Sequence, residues 1–332
     1  MYIYKYLKQN NKFLFQRNHV FCFAGIAFVS HVYVYNGQHC NLLFIVFFYW
    51  LSDLLHFIYR NRRLKLILAM LEVCIDSLES AINAIHGGAD ELEVCSTLTE
   101  GGLTPSPGLV KQIMGMVNNI AAGKPIRESC HDCGCDKLTK RPKVNVMIRC
   151  RTGSDFHYSL EEMDTMLSDV EVFKAFGVDR FVFGALTESR DVDVINCKKF
   201  IRHADATPVT FHRAFDVCNN PLSAINTIAG LGFNRVLTSG QKASANDLEA
   251  IQLIKALVGT AGDKIEIMPG AGINLDNVKT FIDIGCKIVH SSCKKIKYLP
   301  QVKSGLSMGT SDSGHVLLTN ETIVTKMKET IT

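Results

Sequence analysis

The sequence carries little excess charge of either sign. Its 36 lysine and arginine residues nearly balance 32 aspartate and glutamate residues, which leaves a net charge of +4 over 332 residues, and the basic residues are scattered along the chain. Proteins that bind nucleic acid concentrate positive charge in a stripe or patch. The composition therefore argues against a nucleic-acid partner and favours a small or neutral one.

The sequence also lacks the motifs of several enzyme classes. It contains no Walker phosphate loop, no zinc-protease helix motif and no nucleophile elbow. Gly270-Ala271-Gly272 lacks the third glycine and the helix context of a dinucleotide-binding fingerprint. The motifs leave open whether the chain is an enzyme, so its function has to be argued from the fold and from the polar residues that the fold brings together.

The 12 cysteines do not form a disulfide framework, because such frameworks belong to short secreted chains. Free thiols in a chain of this length indicate a reducing compartment, and we expect the core of the protein to be cytoplasmic. The densest group is Cys130-His131-Asp132-Cys133-Gly134-Cys135. It contains one C-x-x-C where a structural zinc site has two, and such a cluster can bind metal adventitiously, so its role stays open.

Residues 1–69 form a hydrophobic N-terminal extension. Apolar runs extend from Val20 to Tyr35 and from Leu42 to Ile58, each near the lower limit of about 17 residues for a membrane span. Basic residues precede the first run and follow the second, so the membrane interpretation is a hairpin with both ends in the cytosol. The alternative is that the extension is not part of the mature protein, because Met70 stands immediately before the first clear strand. Membrane tethering is expected only under the first interpretation.

From residue 70 to residue 332, short β-rich runs alternate with helical stretches. Strands separated by helices require right-handed crossovers and a parallel sheet, and eight such units suit a closed (β/α)8 TIM barrel. An open doubly wound sheet is the alternative. The predicted strands are residues 70–76, 91–96, 144–149, 180–186, 208–213, 235–240, 264–270 and 288–292.

Glycines punctuate the repeat. Gly88, Gly177, Gly232 and Gly285 each end a predicted helix shortly before an even-numbered strand, and glycine in this place is the usual left-handed helix stop. The interval from Gly88 to Gly177 is longer than those from Gly177 to Gly232 and from Gly232 to Gly285, which indicates an insertion between Gly88 and Gly177. We place it at residues 118–143, a stretch with few apolar residues that contains the cysteine cluster, and we predict a surface loop there.

Polar residues alternate with apolar ones on strands that should be buried. Strands of parallel barrels are normally apolar on both faces, so the polar set must point into the barrel. Ionised carboxylates there are costly unless paired, and we expect Arg149 and His212 to be the partners of Glu72, Glu93 and Asp76. A network that only plugs the barrel is the alternative to a site. The inward set includes Glu72, Cys74, Asp76, Glu91, Glu93, Cys95, Asn145, Met147, Arg149, Thr210 and His212.

Several of these residues fall at the C-terminal ends of strands, where barrel active sites occur. The candidates for catalysis, if a reaction exists, are His212, Arg149, Asp216 and Glu93. Residues 268–272 and 290–292 follow the last two strands, where barrels often bind phosphate through backbone amides. A small anionic or phosphorylated substrate is therefore an alternative to a metal ligand.

Two thiols stand out because each ends the same tripeptide, Glu72-Val73-Cys74 and Glu93-Val94-Cys95, on consecutive strands. Neighbouring strands lie about 4.8 Å apart, so the sulfur atoms of two inward-facing cysteines on them can approach each other. Two thiolates, with Met147 as a third soft donor, suit Cu(I) better than a hard cation. The alternative is that both are small buried hydrophobes, as most free cysteines are.

The chain resembles the copper homeostasis protein CutC family. The resemblance spans nearly all of residues 70–293 in the family's order. It rests on the opening unit Met70–Ala81, on Gly87–Ser96 with Thr99–Ser106, on Val146–Arg149, Phe181–Glu188, Pro208–Asp216 and Arg235–Gly240, and on Met268–Ile273.

This resemblance implies a cytoplasmic barrel, usually a homodimer, associated with copper handling and with Cys74 and Cys95 at the positions proposed for copper. It implies no agreed enzymatic reaction. Three features depart from the family pattern: the N-terminal extension, the insertion at residues 118–143, and the stretch Arg149–Phe156, which replaces a more compact loop.

Overall fold

The computed structural model describes residues 21–23, 26–28, 69–126, 140–300 and 314–332. The chain divides into two compact units, residues 1–66 and 67–332. In the first unit, the described residues are an antiparallel pair of short strands, Phe21–Phe23 and Ile26–Phe28. The predicted membrane hairpin otherwise lies outside the described residues. Across the described ranges, no helix combines the length and the apolar character that a membrane crossing requires.

The second unit contains eight parallel strands in the order β8-β1-β2-β3-β4-β5-β6-β7. Strand β1 pairs with both β2 and β8, and β7 lies beside β8, so the sheet closes almost completely. This order confirms the predicted (β/α)8 barrel and excludes the open doubly wound sheet. The strands are β1 Met70–Ile75, β2 Glu91–Val94, β3 Lys143–Met147, β4 Arg180–Phe183, β5 Val209–Phe211, β6 Arg235–Thr238, β7 Glu266–Pro269 and β8 Ile288–Ser291.

Eight helices follow the strands, and most begin at a polar residue that caps the first turn. In α3 the Ser159 side chain accepts from the Glu162 amide while the Glu162 side chain accepts from the Ser159 amide, which is a complete capping box. The helices are α1 Leu78–His86, α2 Pro107–Ala121, α3 Leu160–Phe176, α4 Val194–Ala204, α5 Pro221–Gly230, α6 Leu248–Ala261, α7 Val278–Asp283 and α8 Glu321–Ile331.

The alternation read from the sequence holds in the packing. Leu71, Val73 and Ile75 of β1 are fully buried in the main apolar core, which includes helix residues such as Ala81 and Ala84. Burial of each large apolar side chain stabilises the fold by about 1.5–3 kcal/mol. The intervening side chains of the same strands are polar and point into the barrel, as predicted.

The predicted helix stops are confirmed. Gly88, Gly177, Gly232 and Gly285 have φ values of +85°, +75°, +99° and +103°, in the region that favours glycine. Each therefore ends its helix where the repeat requires a turn into the next strand.

The predicted start of the insertion at residue 118 is wrong by four residues. Helix α2 continues to Ala121 because Val117 and Ile120 bury its apolar face in the core. Strand β3 begins at Lys143, so the connection comprises residues 122–142. Residues 127–139, which include the cluster Cys130–Cys135, lie outside the described residues.

The last helix reaches the barrel through an antiparallel strand pair, β9 Lys294–Tyr298 and β10 His315–Thr319. Helix α8 then packs against α1 and α7. Its Lys328 donates to Asp90 at 2.5 Å, beside the start of β2. The C-terminal segment therefore supplies the eighth helix of the barrel.

Candidate functional site

A cavity of about 1020 Å³ lies at the C-terminal ends of the strands. Its wall includes Cys74, Glu93, Arg149, His212 and His290, which belong to different strands or to the loops that follow them. Strands β9 and β10 contribute further lining residues. The site is therefore at the face where barrel enzymes and binding proteins place their ligands.

Cys74, Glu93 and His290 each offer one possible metal-ligand atom, and these three atoms all lie within 4.8 Å of one another. Among the described residues, this is the one group of His, Cys, Asp and Glu side chains that could hold a metal ion. The strand register brings them together, because Cys74 pairs with Glu93 across β1 and β2 and His290 pairs with Glu72 across β8 and β1. All three are buried. The group offers one sulfur, one carboxylate oxygen and one imidazole nitrogen.

His290 is held by carboxylates on both sides of its ring. Its Nδ1 lies 2.8 Å from Glu72 Oε1, and its Nε2 lies 3.8 Å from Glu93 Oε2. Burial alone would lower the pKa of His290, but Cys74, Glu93 and Glu72 together outweigh burial and raise it well above its ordinary value. The imidazole is therefore oriented by Glu72, with its other nitrogen turned toward Glu93.

Glu93 is the carboxyl group at the centre of this wall. Burial raises its pKa to about 7, against the opposing effect of His290 and with a smaller contribution from Glu72. Its Oε2 accepts from the Cys95 thiol at 3.5 Å, while Oε1 has no hydrogen-bond partner among the described residues. Glu93 thus lies beside both candidate thiols, and its pKa is raised by burial.

The two thiols differ in their surroundings. Cys74 is 8% exposed and lines the cavity, whereas Cys95 is 0% exposed and packs in a small cluster with Met147 and Val182. Burial, then the charges of Glu93 and Cys74, raise the pKa of Cys95 well above its ordinary value. Because Cys74 pairs with Glu93 in the strand register, Cys95 lies two residues further along, just past the end of β2, and outside the three-residue group.

The prediction that Arg149 pairs with the inward carboxylates is wrong. Its Nη1 donates to the carbonyls of Glu100 at 3.0 Å and Gly102 at 3.1 Å, and its Nη2 donates to the carbonyl of Gly153 at 2.7 Å. Arg149 therefore joins the loop after β2 to the loop after β3, while it also lines the cavity. Its guanidinium carbon also lies 5.2 Å from the centre of the Phe156 ring.

His212 does not pair with a carboxylate either, which corrects the second half of that prediction. Its Nδ1 accepts from the Ala214 amide at 3.2 Å, so the neutral ring carries its proton on Nε2. Burial, then Arg149, lower its pKa to about 3. The ring packs 5.1 Å from Phe156, and Nε2 has no partner among the described residues.

Asp216 lines the cavity, but both of its oxygens are occupied. It accepts from Arg213 Nε at 2.7 Å, from Thr238 Oγ1 at 2.6 Å and from the Ser239 amide at 2.9 Å. These bonds tie the loop after β5 to the end of β6. Of the four catalytic candidates, Glu93, Arg149 and His212 each have a buried polar atom without a partner in the described structure, at Oε1, Nε and Nε2 respectively.

A separate ion network fills the interior below this wall. Arg235 donates to Glu91 at 2.7 and 3.2 Å and to Glu266 at 2.9 Å, and its Nη1 lies 3.6 Å from Glu72 Oε2. Asn145 bridges Glu72 and Glu91. The sequence analysis missed Arg235 as the counterion, although its position at the start of β6 puts it in the inward set once the barrel closes.

Comparison with known proteins gives consistent matches. The model of the CutC family matches residues 69–132 and 135–295. The human copper homeostasis protein cutC homolog is 38% identical over 262 residues, covering 78% of this chain and 86% of its own length. A family protein CutC of Pasteurella multocida is 41% identical over 225 residues, covering 68% of this chain and 82% of its own. A crystal structure of CutC from Streptococcus agalactiae superposes with a TM-score of 0.59 at 28% identity, over 68% of this chain and 98% of that one.

Proposed function

Because the chain belongs to the CutC family, whose matched relatives include named copper homeostasis proteins, we propose that it acts in copper homeostasis by binding Cu(I) through Cys74 and Cys95. The observation that carries this proposal is the placement of Cys74 beside His290 and Glu93 on the cavity wall, with the Cys95 thiol hydrogen-bonded to the same Glu93 carboxyl group. Thiolate and imidazole are donors that suit Cu(I).

The donor atoms fit a soft cation better than a hard one. Cys74 and Cys95 offer two soft sulfur donors, and His290 offers an imidazole nitrogen, which also suits copper. Glu93 Oε2 lies 3.5 Å from Cys95 Sγ and 3.8 Å from His290 Nε2, but a carboxylate oxygen is a hard donor that Cu(I) does not prefer. We therefore assign Glu93 to the surroundings of the bound ion rather than to its ligand set.

Competition with a chromophoric Cu(I) chelator under reducing conditions tests this proposal. We expect the affinity to fall strongly when Cys74 and Cys95 are both changed to Ser. Cys197→Ser is the matched control, because Cys197 is also fully buried but its thiol contacts the Ala185 carbonyl away from the cavity. Removal of residues 130–135 should leave the affinity unchanged, and the reverse pattern would move the site to that cluster.

A second candidate function is an enzyme that acts on a small anionic or phosphorylated substrate in the same cavity. The observation in its favour is that Glu93 Oε1 and His212 Nε2 are buried on the cavity wall without partners in the part of the chain that the structure describes. Unsatisfied buried polar groups are costly, and enzymes retain them where a ligand uses them. The loops after β7 and β8, including Gly272 and Ser292, line the same cavity.

Thermal melts with phosphate and small carboxylates test this second candidate. A ligand that binds the folded state should raise the melting temperature of the parent protein, and His212→Phe should abolish that shift. Tyr158→Phe is the control, because the Tyr158 hydroxyl is also buried without a partner but does not line the cavity. The absence of any anion-dependent shift in the parent protein would contradict the candidate.

The homodimer and the cytoplasmic location implied by the family stay predictions.

A further inference from the structure

A glycine closes over the thiol of Cys95. Gly102 has φ +88°, and a Cβ atom at this position would lie 3.1 Å from Cys95 Sγ and 3.6 Å from Met147 Cε. The backbone of Gly102 therefore packs directly against the sulfur. Cys95 is 0% exposed as a result, while Cys74 is 8% exposed on the cavity wall.

Gly102 belongs to a loop of well-defined structure, residues 96–104, which we call the gate loop. Ser96 and Leu103 exchange backbone hydrogen bonds of 2.9 and 2.8 Å at its base. A 3-10 turn, Leu98–Glu100, forms its tip. The two ends of the loop are therefore joined by backbone hydrogen bonds at its base.

The side chain and the backbone of Arg149 both form hydrogen bonds with the gate loop. Its Nη1 bonds to the Glu100 and Gly102 carbonyls, and its backbone bonds to the amide and hydroxyl of Thr104 at 2.9 to 3.1 Å. Its Nη2 bonds to Gly153, which fixes the guanidinium from the neighbouring loop. Among the described residues no carboxylate forms an ion pair with this cation, so Nη1 and Nη2 donate to the carbonyls of the two loops, while Nε has no partner there.

We infer that residues 96–104 are a gate over the second thiol and that Arg149 is the positioning residue that keeps the gate shut. This inference rests on the proposed function, because it describes the order in which Cys74 and Cys95 bind Cu(I). The ion reaches Cys74 from the cavity, and it reaches Cys95 only after Gly102 has moved off the sulfur.

Alkylation of each cysteine with iodoacetamide, followed by mass spectrometry, tests the gate without copper. In the parent protein we expect Cys74 to react faster than Cys95. In Arg149→Met, Cys95 should react at least tenfold faster than in the parent, which corresponds to about 1.4 kcal/mol. Removal of a cation disfavours thiolate formation, so an acceleration reports opening of the loop.

Two controls separate local opening from loss of the fold. Cys197 is fully buried outside the site, and its alkylation rate should not change in Arg149→Met. Arg151→Met should leave Cys95 protected, because Arg151 bonds to Asp155 and Glu162 and not to the gate loop. An unchanged Cys95 rate, or a parallel rise at Cys197, would overturn the inference.

Gly102→Ala provides a second variant if Arg149→Met does not fold. The added methyl group presses on Cys95 Sγ and is strained at a positive φ, while every donor of Arg149 is kept. We expect faster alkylation of Cys95 with Cys197 unaffected, and continued protection of Cys95 would overturn the gate. A different result would overturn the copper assignment without bearing on the gate: the double variant Cys74→Ser/Cys95→Ser would bind Cu(I) as tightly as the parent.

Discussion

Arg235 is expected to be the single most important charge for the stability of the barrel. It is 1% exposed, and it contacts Glu91 and Glu266 directly and Glu72 at 3.6 Å. Arg235→Met keeps most of the volume but leaves buried carboxylates without their counterion. Breaking a buried ion pair by removal of one partner costs about 3–5 kcal/mol. We expect a loss of this size in the free energy of unfolding, measured by urea denaturation.

Two comparisons make this prediction specific. Arg180→Met is the matched control, because Arg180 is a neighbouring inward arginine, 7% exposed, whose Nε and Nη1 have no partner among the described residues. It should cost clearly less than Arg235→Met. The double variant Arg235→Met/Glu91→Gln should recover part of the loss, because it also removes the stranded charge. A cost below about 1 kcal/mol for Arg235→Met, or no recovery in the double variant, would refute the reasoning.

Two further predictions concern acid stability and the last helix. Hydrogen bonds and charge from Arg235 outweigh burial and lower the pKa of Glu91 from 4.5 to about 2, so its stabilisation is complete above about pH 5 and is lost as the pH falls toward 2. The lowered pKa of Glu91 contributes about 3 kcal/mol to the free energy of unfolding above about pH 5. In Glu91→Gln, the free energy of unfolding should therefore fall less steeply as the pH is lowered from about 5 toward 2. Gly87→Ala would place a Cβ atom 2.5 Å from Val324 Cβ on α8 and should destabilise by about 1–3 kcal/mol in thermal melts. Gly115→Ala, in an exposed helical position with open space around it, should be neutral or slightly stabilising, and equal effects of the two changes would contradict the packing argument.

The barrel was predictable because its signals are local. The alternation in β1 separates Leu71 and Val73 from Glu72 and Cys74 without knowledge of any neighbour, and glycines such as Gly177 end their helices by backbone conformation alone. The position of Glu93 in the wall follows from the same alternation. These features depend on residues close in sequence, so the pattern is sufficient to identify them.

The partners of the inward charges were not predictable in the same way. Glu72 meets His290, 218 residues later, only because β8 closes against β1. Arg149 follows its strand and donates to the carbonyls of two loops, one of which departs from the family pattern. A pairing rule based on opposite charges therefore chose Arg149 where the closed barrel uses Arg235.

The central claim is that Cys74 and Cys95 both bind Cu(I). X-ray absorption at the copper edge of the Cu(I)-loaded protein tests it most directly, because the spectrum counts sulfur and nitrogen neighbours of the ion. We predict two sulfur neighbours in the parent protein, with one lost in Cys74→Ser and one lost in Cys95→Ser, and no change in Cys197→Ser. A spectrum that keeps the same sulfur neighbours in both single variants, or that shows only nitrogen and oxygen neighbours in the parent protein, would contradict the account.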